Sequence, residues 1–139
     1  DVIWRMDTSA LGPNQRLLIV DDEKKTCMLL SRFLSGRGYQ IETASEGGMA
    51  LHKAREFNPN CVLLDIRLPQ GGKKLFSGIK SQLPEVLIIM VAAIVEVTEL
   101  QEYLNEGAYA YLGKPVNLNQ LQDKIFEGLM SKFDKSKVG

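Results

Sequence analysis

The stretch "LLIVDDEKKT" (residues 17–26) runs four apolar residues straight into Asp21, Asp22 and Glu23. A continuous apolar run of this length suits a strand covered on both faces. Three adjacent acids at its end repel one another, and burial makes each charge costlier. Something positive must sit among them, or they must point into water.

Outward from this stretch the same grammar repeats. Apolar runs occur at "RLLIV" (16–20), "YQIET" (39–43), "CVLLD" (61–65), "VLIIMV" (86–91) and "AYAYL" (108–112). Between them lie segments with helical spacing: Cys27, Leu30 and Leu34; Ala50, Ala54 and Phe57; Leu75, Ile79 and Leu83; Val97, Leu100 and Leu104. Leu118, Leu121, Ile125 and Leu129 make the clearest stripe. Breakers separate the elements, notably Gly36 and Gly38, Asn58-Pro59, Pro69 to Gly72, Pro84, Gly107, and Gly113 to Pro115. Five strand–helix units in strict alternation predict a doubly wound α/β domain, a five-stranded parallel sheet with helices on both faces. Residues 16–132 are expected to form that domain. Residues 1–15 lack periodicity and read as a flexible leader, part of it vector-derived if Met6 is the native start. Residues 133–139 read as a tail or the start of a linker.

Composition narrows the function. Of 139 residues, 17 are Lys or Arg and 17 are Asp or Glu, so no net field draws the chain to nucleic acid or to a membrane surface. No apolar run is long enough to span a bilayer, and the expected location is the cytoplasm. Cys27 and Cys61 lie outside any CxxC pattern and read as core residues, not as a disulfide framework. His52 reads as a surface residue. No glycine-rich phosphate loop follows a strand, which disfavours nucleotide binding.

In a parallel sheet of this kind, ligands bind beyond the carboxyl ends of the strands. Asp21 and Asp22 follow the first strand, Asp65 ends the third and Lys114 follows the fifth, so all four are expected on one edge. A hard divalent cation together with Lys114 would relieve the carboxylate repulsion. Mg²⁺ suits such a site, since it takes oxygen ligands and few carboxylates. The matching chemistry is phosphoryl transfer with a carboxylate, Asp65, as nucleophile. Taken alone, Asp22 could equally cap the helix that follows.

"LLIVDDE", "CVLLDIRLP" and "GAYAYLGKP" closely resemble the three signature blocks of response-regulator receiver domains of two-component signalling, the CheY-like fold. The likeness covers residues 16–132, and Asp65 lies 43 residues after Asp22, close to the family spacing. The resemblance implies that Asp65 accepts the phosphoryl group and that Asp21, Asp22, Asp65 and the backbone carbonyl of Arg67 hold Mg²⁺. It implies that Lys114 contacts the phosphoryl group, that the Lys114–Pro115 bond is cis, and that Tyr111 is the aromatic whose rotamer reports phosphorylation. The implied partner is a histidine kinase or phosphotransfer protein, with homodimer pairing through the fourth and fifth helices. The implied role is that of a phosphoacceptor, with at most slow autophosphorylation and autodephosphorylation, and not of an enzyme.

Two departures stand out. Ala92 occupies the position where the family carries Thr or Ser, which removes the hydroxyl that would bond the phosphoryl oxygen and puts the switch at Tyr111 in question. After Pro69, "QGGKKLF" is glycine-rich, basic and shorter than the family turn. Gly71 and Gly72 would supply the turn, and Lys73 and Lys74 would either draw an acidic partner or, the favoured reading, merely solvate the helix start. Arg67 and Ile94 occupy positions that, in the family, tune loss of the phosphoryl group, and apolar Ile94 would screen the acyl phosphate from water. An alternative reading is a receiver-like interaction module that works without phosphorylation through a surface around Val95 to Tyr111 and the last helix. A Mg²⁺-dependent phosphohydrolase is disfavoured, because Ile66-Arg67 follow Asp65 where a second acid would be needed.

Overall fold

The computed structural model describes residues 15–138. The apolar runs form strands β1 (Arg16–Val20), β2 (Gln40–Ala44), β3 (Cys61–Asp65), β4 (Leu87–Ala92) and β5 (Ala110–Gly113). Helices α1 (Lys24–Ser35), α2 (Gly47–Phe57), α3 (Gly72–Gln82), α4 (Val97–Asn105) and α5 (Leu118–Val138) follow them in turn. The strands stand in the order β2-β1-β3-β4-β5, and every pairing is parallel. The doubly wound α/β expectation holds.

β1 and β3 have the expected limits, whereas β2, β4 and β5 begin one or two residues late. In each case the first expected residue is held elsewhere. Tyr39, Val86 and Ala108 give their N–H groups to the ends of preceding helices or turns, at Leu34 O, Leu83 O and Tyr103 O, and so cannot start a ladder. Those bonds add to the capping of helix ends, where Leu34 O also accepts from Arg37 and Tyr103 O from Glu106.

Period-two alternation sorts the strand side chains into two layers. Leu18, Val20, Val62, Leu64, Ile88 and Met90 pack under α2, α3 and α4, while Leu17, Ile19, Cys61, Leu63 and Ile89 pack under α1 and α5. Each fully buried Leu or Ile contributes about 1.5–3 kcal/mol, so both layers matter to the fold. The α5 stripe at Leu121, Ile125 and Leu129 is buried as expected, with Leu118 packed against it. Helix α5 itself runs on to Val138, past the expected domain end at 132, and the leader with Trp4 lies outside the described residues.

Helix α4 departs from its expected face. Val97 is 81% exposed and Leu104 is also exposed, while Tyr103 is buried at 3%. The Tyr103 ring meets Phe76 edge-on, with centroids 5.3 Å apart. A ring offers more area than the two aliphatics and gains a favourable aromatic geometry, which turns this nine-residue helix toward it.

His52 is exposed, as expected. Cys61 is fully buried, but Cys27 is only half-buried and its thiol donates to the Asp21 carbonyl at 3.3 Å. Burial pushes the Cys61 thiol up to about 12, and burial followed by the charge of Asp21 raises Cys27 as well. Because the thiolate is the reactive form, native protein treated with a thiol reagent near pH ~8 should label slowly at Cys27 alone. Mass spectrometry with and without urea checks this; labelling of Cys61 in the native state would contradict the packing. No helix among the described residues is long and apolar enough to cross a membrane.

Candidate functional site

β1 and β3 are neighbours in register, with Val20 opposite Leu64, so the residues just beyond them meet at the sheet edge. Asp21 extends the ladder by one bond, its N–H donating to the Ala44 carbonyl at 3.1 Å. Its carboxylate is 3% exposed; Oδ1 accepts the Glu23 N–H at 2.9 Å and Oδ2 accepts from Lys114 Nζ at 2.8 Å. Asp65 is 5% exposed; Oδ1 accepts the Arg67 N–H at 2.9 Å and Oδ2 accepts from Lys114 Nζ at 3.2 Å. Asp22 is exposed, yet it offers a carboxylate oxygen within 4.8 Å of those of Asp21 and Asp65. The cap role does not fall to Asp22. Glu23 is the N-cap of α1 and makes no side-chain cap bond, while its carboxylate accepts from Thr26 Oγ1.

The positive group that the opening stretch demanded is Lys114, delivered from the far side of the sheet. Its N–H donates to the Ala92 carbonyl at 3.0 Å, which continues the β4–β5 pairing, and the Lys114–Pro115 peptide is cis. Burial alone would lower the Lys114 ammonium, but the carboxylates of Asp21 and Asp65 outweigh it and hold its pKa above the ordinary value. Burial raises the Asp21 carboxyl against the opposing pull of Lys114. One ammonium therefore stands against the three-carboxylate cluster of Asp21, Asp22 and Asp65, with Glu23 3.9 Å from it as a further acid. The surplus negative charge and the all-oxygen donor set fit a hard divalent cation.

Tyr111 and Ala92 also come together. Ala92 is fully buried, and the half-buried Tyr111 donates its hydroxyl to the Ala92 carbonyl at 2.9 Å. The ring thus lies inward while position 92 contributes only main chain.

Two of the basic residues after Asp65, Arg67 and Lys73, have acidic partners within the domain. The Arg67 guanidinium grips both carboxylate oxygens of Glu99 at 2.8 and 2.9 Å and donates to the Ile94 carbonyl at 2.6 Å. Lys73 is not merely solvated. Its ammonium lies 3.0 Å from Glu106 and 3.7 Å from Glu102, above the Tyr103 ring. Lys74 is exposed. The signal for these contacts was present, since Glu99, Glu102 and Glu106 recur at the three- and four-residue spacing that lines one helix face. Ile94 holds its side chain 77% exposed, so its contact with this cluster is made by its carbonyl.

The turn after Asp65 uses its glycines differently. Gly71 adopts φ +98°, and its N–H closes onto the Leu68 carbonyl. Gly72 is needed for closeness, because a Cβ there would stand 2.3 Å from the Ile66 carbonyl oxygen.

Residues 17–126 match the family model of the response regulator receiver domain. The chain belongs to that family. This receiver domain is 34% identical over 119 residues to the transcriptional regulatory protein ZraR of Klebsiella oxytoca, covering 85% of the chain and 27% of that protein. It is 36% identical over 107 residues to the regulatory protein AtoC of Escherichia coli, covering 76% of the chain and 23% of that protein. The chain thus spans about a quarter of the length of these relatives. The sporulation initiation phosphotransferase F of Bacillus subtilis, 29% identical, is covered over 91% of its length by 81% of this chain. Among solved structures, the CheY-like receiver domain protein of Methanospirillum hungatei superposes with a TM-score of 0.84 at 33% identity, over 88% of this chain and 98% of that one. Residues 17–126 are thus a response-regulator receiver domain.

Proposed function

We propose that Asp65 accepts a phosphoryl group from a phosphohistidine, supplied by a histidine kinase or phosphotransfer protein, in a cytoplasmic phosphorelay. The observation that carries this reading is the convergence of Lys114 Nζ on Asp21 and Asp65, at 2.8 and 3.2 Å, beside a three-carboxylate cluster. Asp21, Asp22 and Asp65, with the Arg67 carbonyl, would hold Mg²⁺, which when bound neutralises charge on the transferring group. The Arg67 N–H fixes the rotation of the Asp65 carboxylate. A carboxylate oxygen of Asp65 forms the new O–P bond while the N–P bond of the donor breaks, and the released imidazole takes up a proton. Lys114 loses its grip on Asp65 and turns its ammonium to a phosphoryl oxygen, so the pocket keeps its charge match. Water later attacks phosphorus and returns Asp65 and inorganic phosphate.

The domain proper would span residues 16–132, bind no nucleic acid itself, and pair through α4 and α5. Tyr111 would be the reporting aromatic.

A second reading, a partner-binding module indifferent to phosphorylation, draws on one observation. Tyr111 already sits inward on a main-chain carbonyl, and Ala92 has no hydroxyl with which to respond.

Incubation with a small acyl phosphate and Mg²⁺ tests both. The first reading expects one phosphoryl adduct that is base-labile, as an acyl phosphate should be, and that fails to form when the metal is chelated. Absence of any adduct with several donors would sink the first reading and leave the second.

A further inference from the structure

We propose that Glu99, on α4, is a positioning residue for the Asp65 pocket, and that its pair with Arg67 couples the placement of α4 to what the pocket holds. The inference rests on the reading of that pocket as a Mg²⁺ and phosphoryl site. Arg67 meets the pocket through its main chain, where its N–H holds Asp65 Oδ1 at 2.9 Å. It meets α4 through its side chain, with both terminal nitrogens on Glu99 at 2.9 and 2.8 Å. The same guanidinium bonds the Ile94 carbonyl at 2.6 Å and so fastens the loop between β4 and α4. One residue therefore touches the phosphoacceptor, the following loop and the helix beyond it.

The pair is half-exposed on the Arg67 side, and such pairs add little to stability. A planar two-point grip does fix orientation, because the guanidinium fork meets a carboxylate in few geometries. At the end of β4 the side chain that could have linked pocket to loop is a buried methyl, Ala92. The Arg67–Glu99 strap supplies a connection from the Asp65 turn instead. Coupling of this kind is reciprocal: whatever the pocket does to α4, α4 does to the pocket's affinity. Lys73 offers an internal comparison. It ties α3 to Glu102 of the same helix and to Glu106 at that helix's C-cap, without the main-chain bond to Asp65 that Arg67 makes.

The test uses the full chain with Mg²⁺ and beryllium fluoride as a phosphoryl mimic, and compares wild type, Glu99→Ala and Lys73→Ala. Metal affinity is read by NMR titration and backbone protection by hydrogen exchange. Wild type should change its exchange both at residues 66–71 and at residues 94–106 on filling the site. In Glu99→Ala the local change should persist, while the change at 94–106 falls by more than half. Its Mg²⁺ dissociation constant should rise about tenfold, the low end for residues that orient a ligand from outside the coordination shell. Lys73→Ala should keep both responses. An unaltered response at 94–106 in Glu99→Ala overturns the proposal, as does an equal loss in Lys73→Ala, which would mean general loosening of the helix. No change at 66–71 in wild type would overturn the metal-site reading and the strap with it.

Discussion

Asp65→Asn is expected to abolish the phosphoryl adduct completely and, in metal-free buffer, to raise the melting temperature. Asparagine keeps the shape of aspartate and can still accept the Arg67 N–H, but its amide is no nucleophile toward phosphorus. Removing its charge also leaves two acids, not three, in the Asp21–Asp22–Asp65 cluster. The expected gain is about 1 kcal/mol, kept small because Asp22 and part of Lys114 still see solvent. That corresponds to about 3–5 °C for a domain of this size. Lys114→Met should act with the opposite sign. It strips the shared ammonium, leaves the carboxylates facing one another, and lowers the melting temperature in chelator, with Mg²⁺ restoring much of the loss. The adduct should still form, about 100-fold more slowly, because one of the charge-stabilising contacts to the transferred group is gone. Calorimetry with and without Mg²⁺, beside adduct mass spectrometry, reads all of this. A fall in melting temperature for Asp65→Asn would mean that the acids are stabilising partners and not a strained cluster.

Gly72→Ala is expected to be the most damaging single-methyl change near the site. The added carbon would sit 2.3 Å from the Ile66 carbonyl oxygen, 2.7 Å from Ile66 Cα and 2.8 Å from the Ile66 carbonyl carbon. All three are main-chain atoms at the root of the Asp65 turn, so no side chain can swing away. The start of α3 or the turn itself must shift, at a cost of about 3 kcal/mol. Because the shift displaces the residues between Asp65 and Arg67, adduct formation should slow as well. Gly71→Ala serves as the contrast. Its φ of +98° makes alanine strained, but nothing lies within 4 Å of the new carbon, so about 1–2 kcal/mol is expected. Urea unfolding of the two variants ranks them, and equal midpoints would show that the close approach at Gly72 does not matter.

The parallel sheet and the meeting of Asp21, Asp65 and Lys114 could be read from sequence because both follow from strict strand–helix alternation. Parallel strands send all their carboxyl ends to one edge, whatever the helices do. The pairings made by α4 were harder to read. Which of Val97, Leu100, Tyr103 and Leu104 turns inward depends on the rotation of a short helix, and the Phe76 ring that decides it comes from another helix. The partners of Arg67 and Lys73 depend on that same rotation, so the acid stripe at 99, 102 and 106 remained a pattern without an address. Cys27 fitted an apolar stripe, yet it stands at the rim beside Asp21, where a helix face changes from core to pocket lining.

The pocket and its surroundings are assembled from different parts of the polypeptide. Around Asp65 several fixed points are peptide groups: the Arg67 N–H, the Ala92 carbonyl that receives both Lys114 N–H and the Tyr111 hydroxyl, and the Ile94 carbonyl. The Lys73 ties to Glu102 and Glu106 are surface side chains with no such link to Asp65. Drift or design at positions 73, 102 and 106 can therefore reshape the surface around α4 while the pocket stays anchored in backbone that substitution cannot delete, whereas position 99, gripped by Arg67, cannot change without reaching the Asp65 turn.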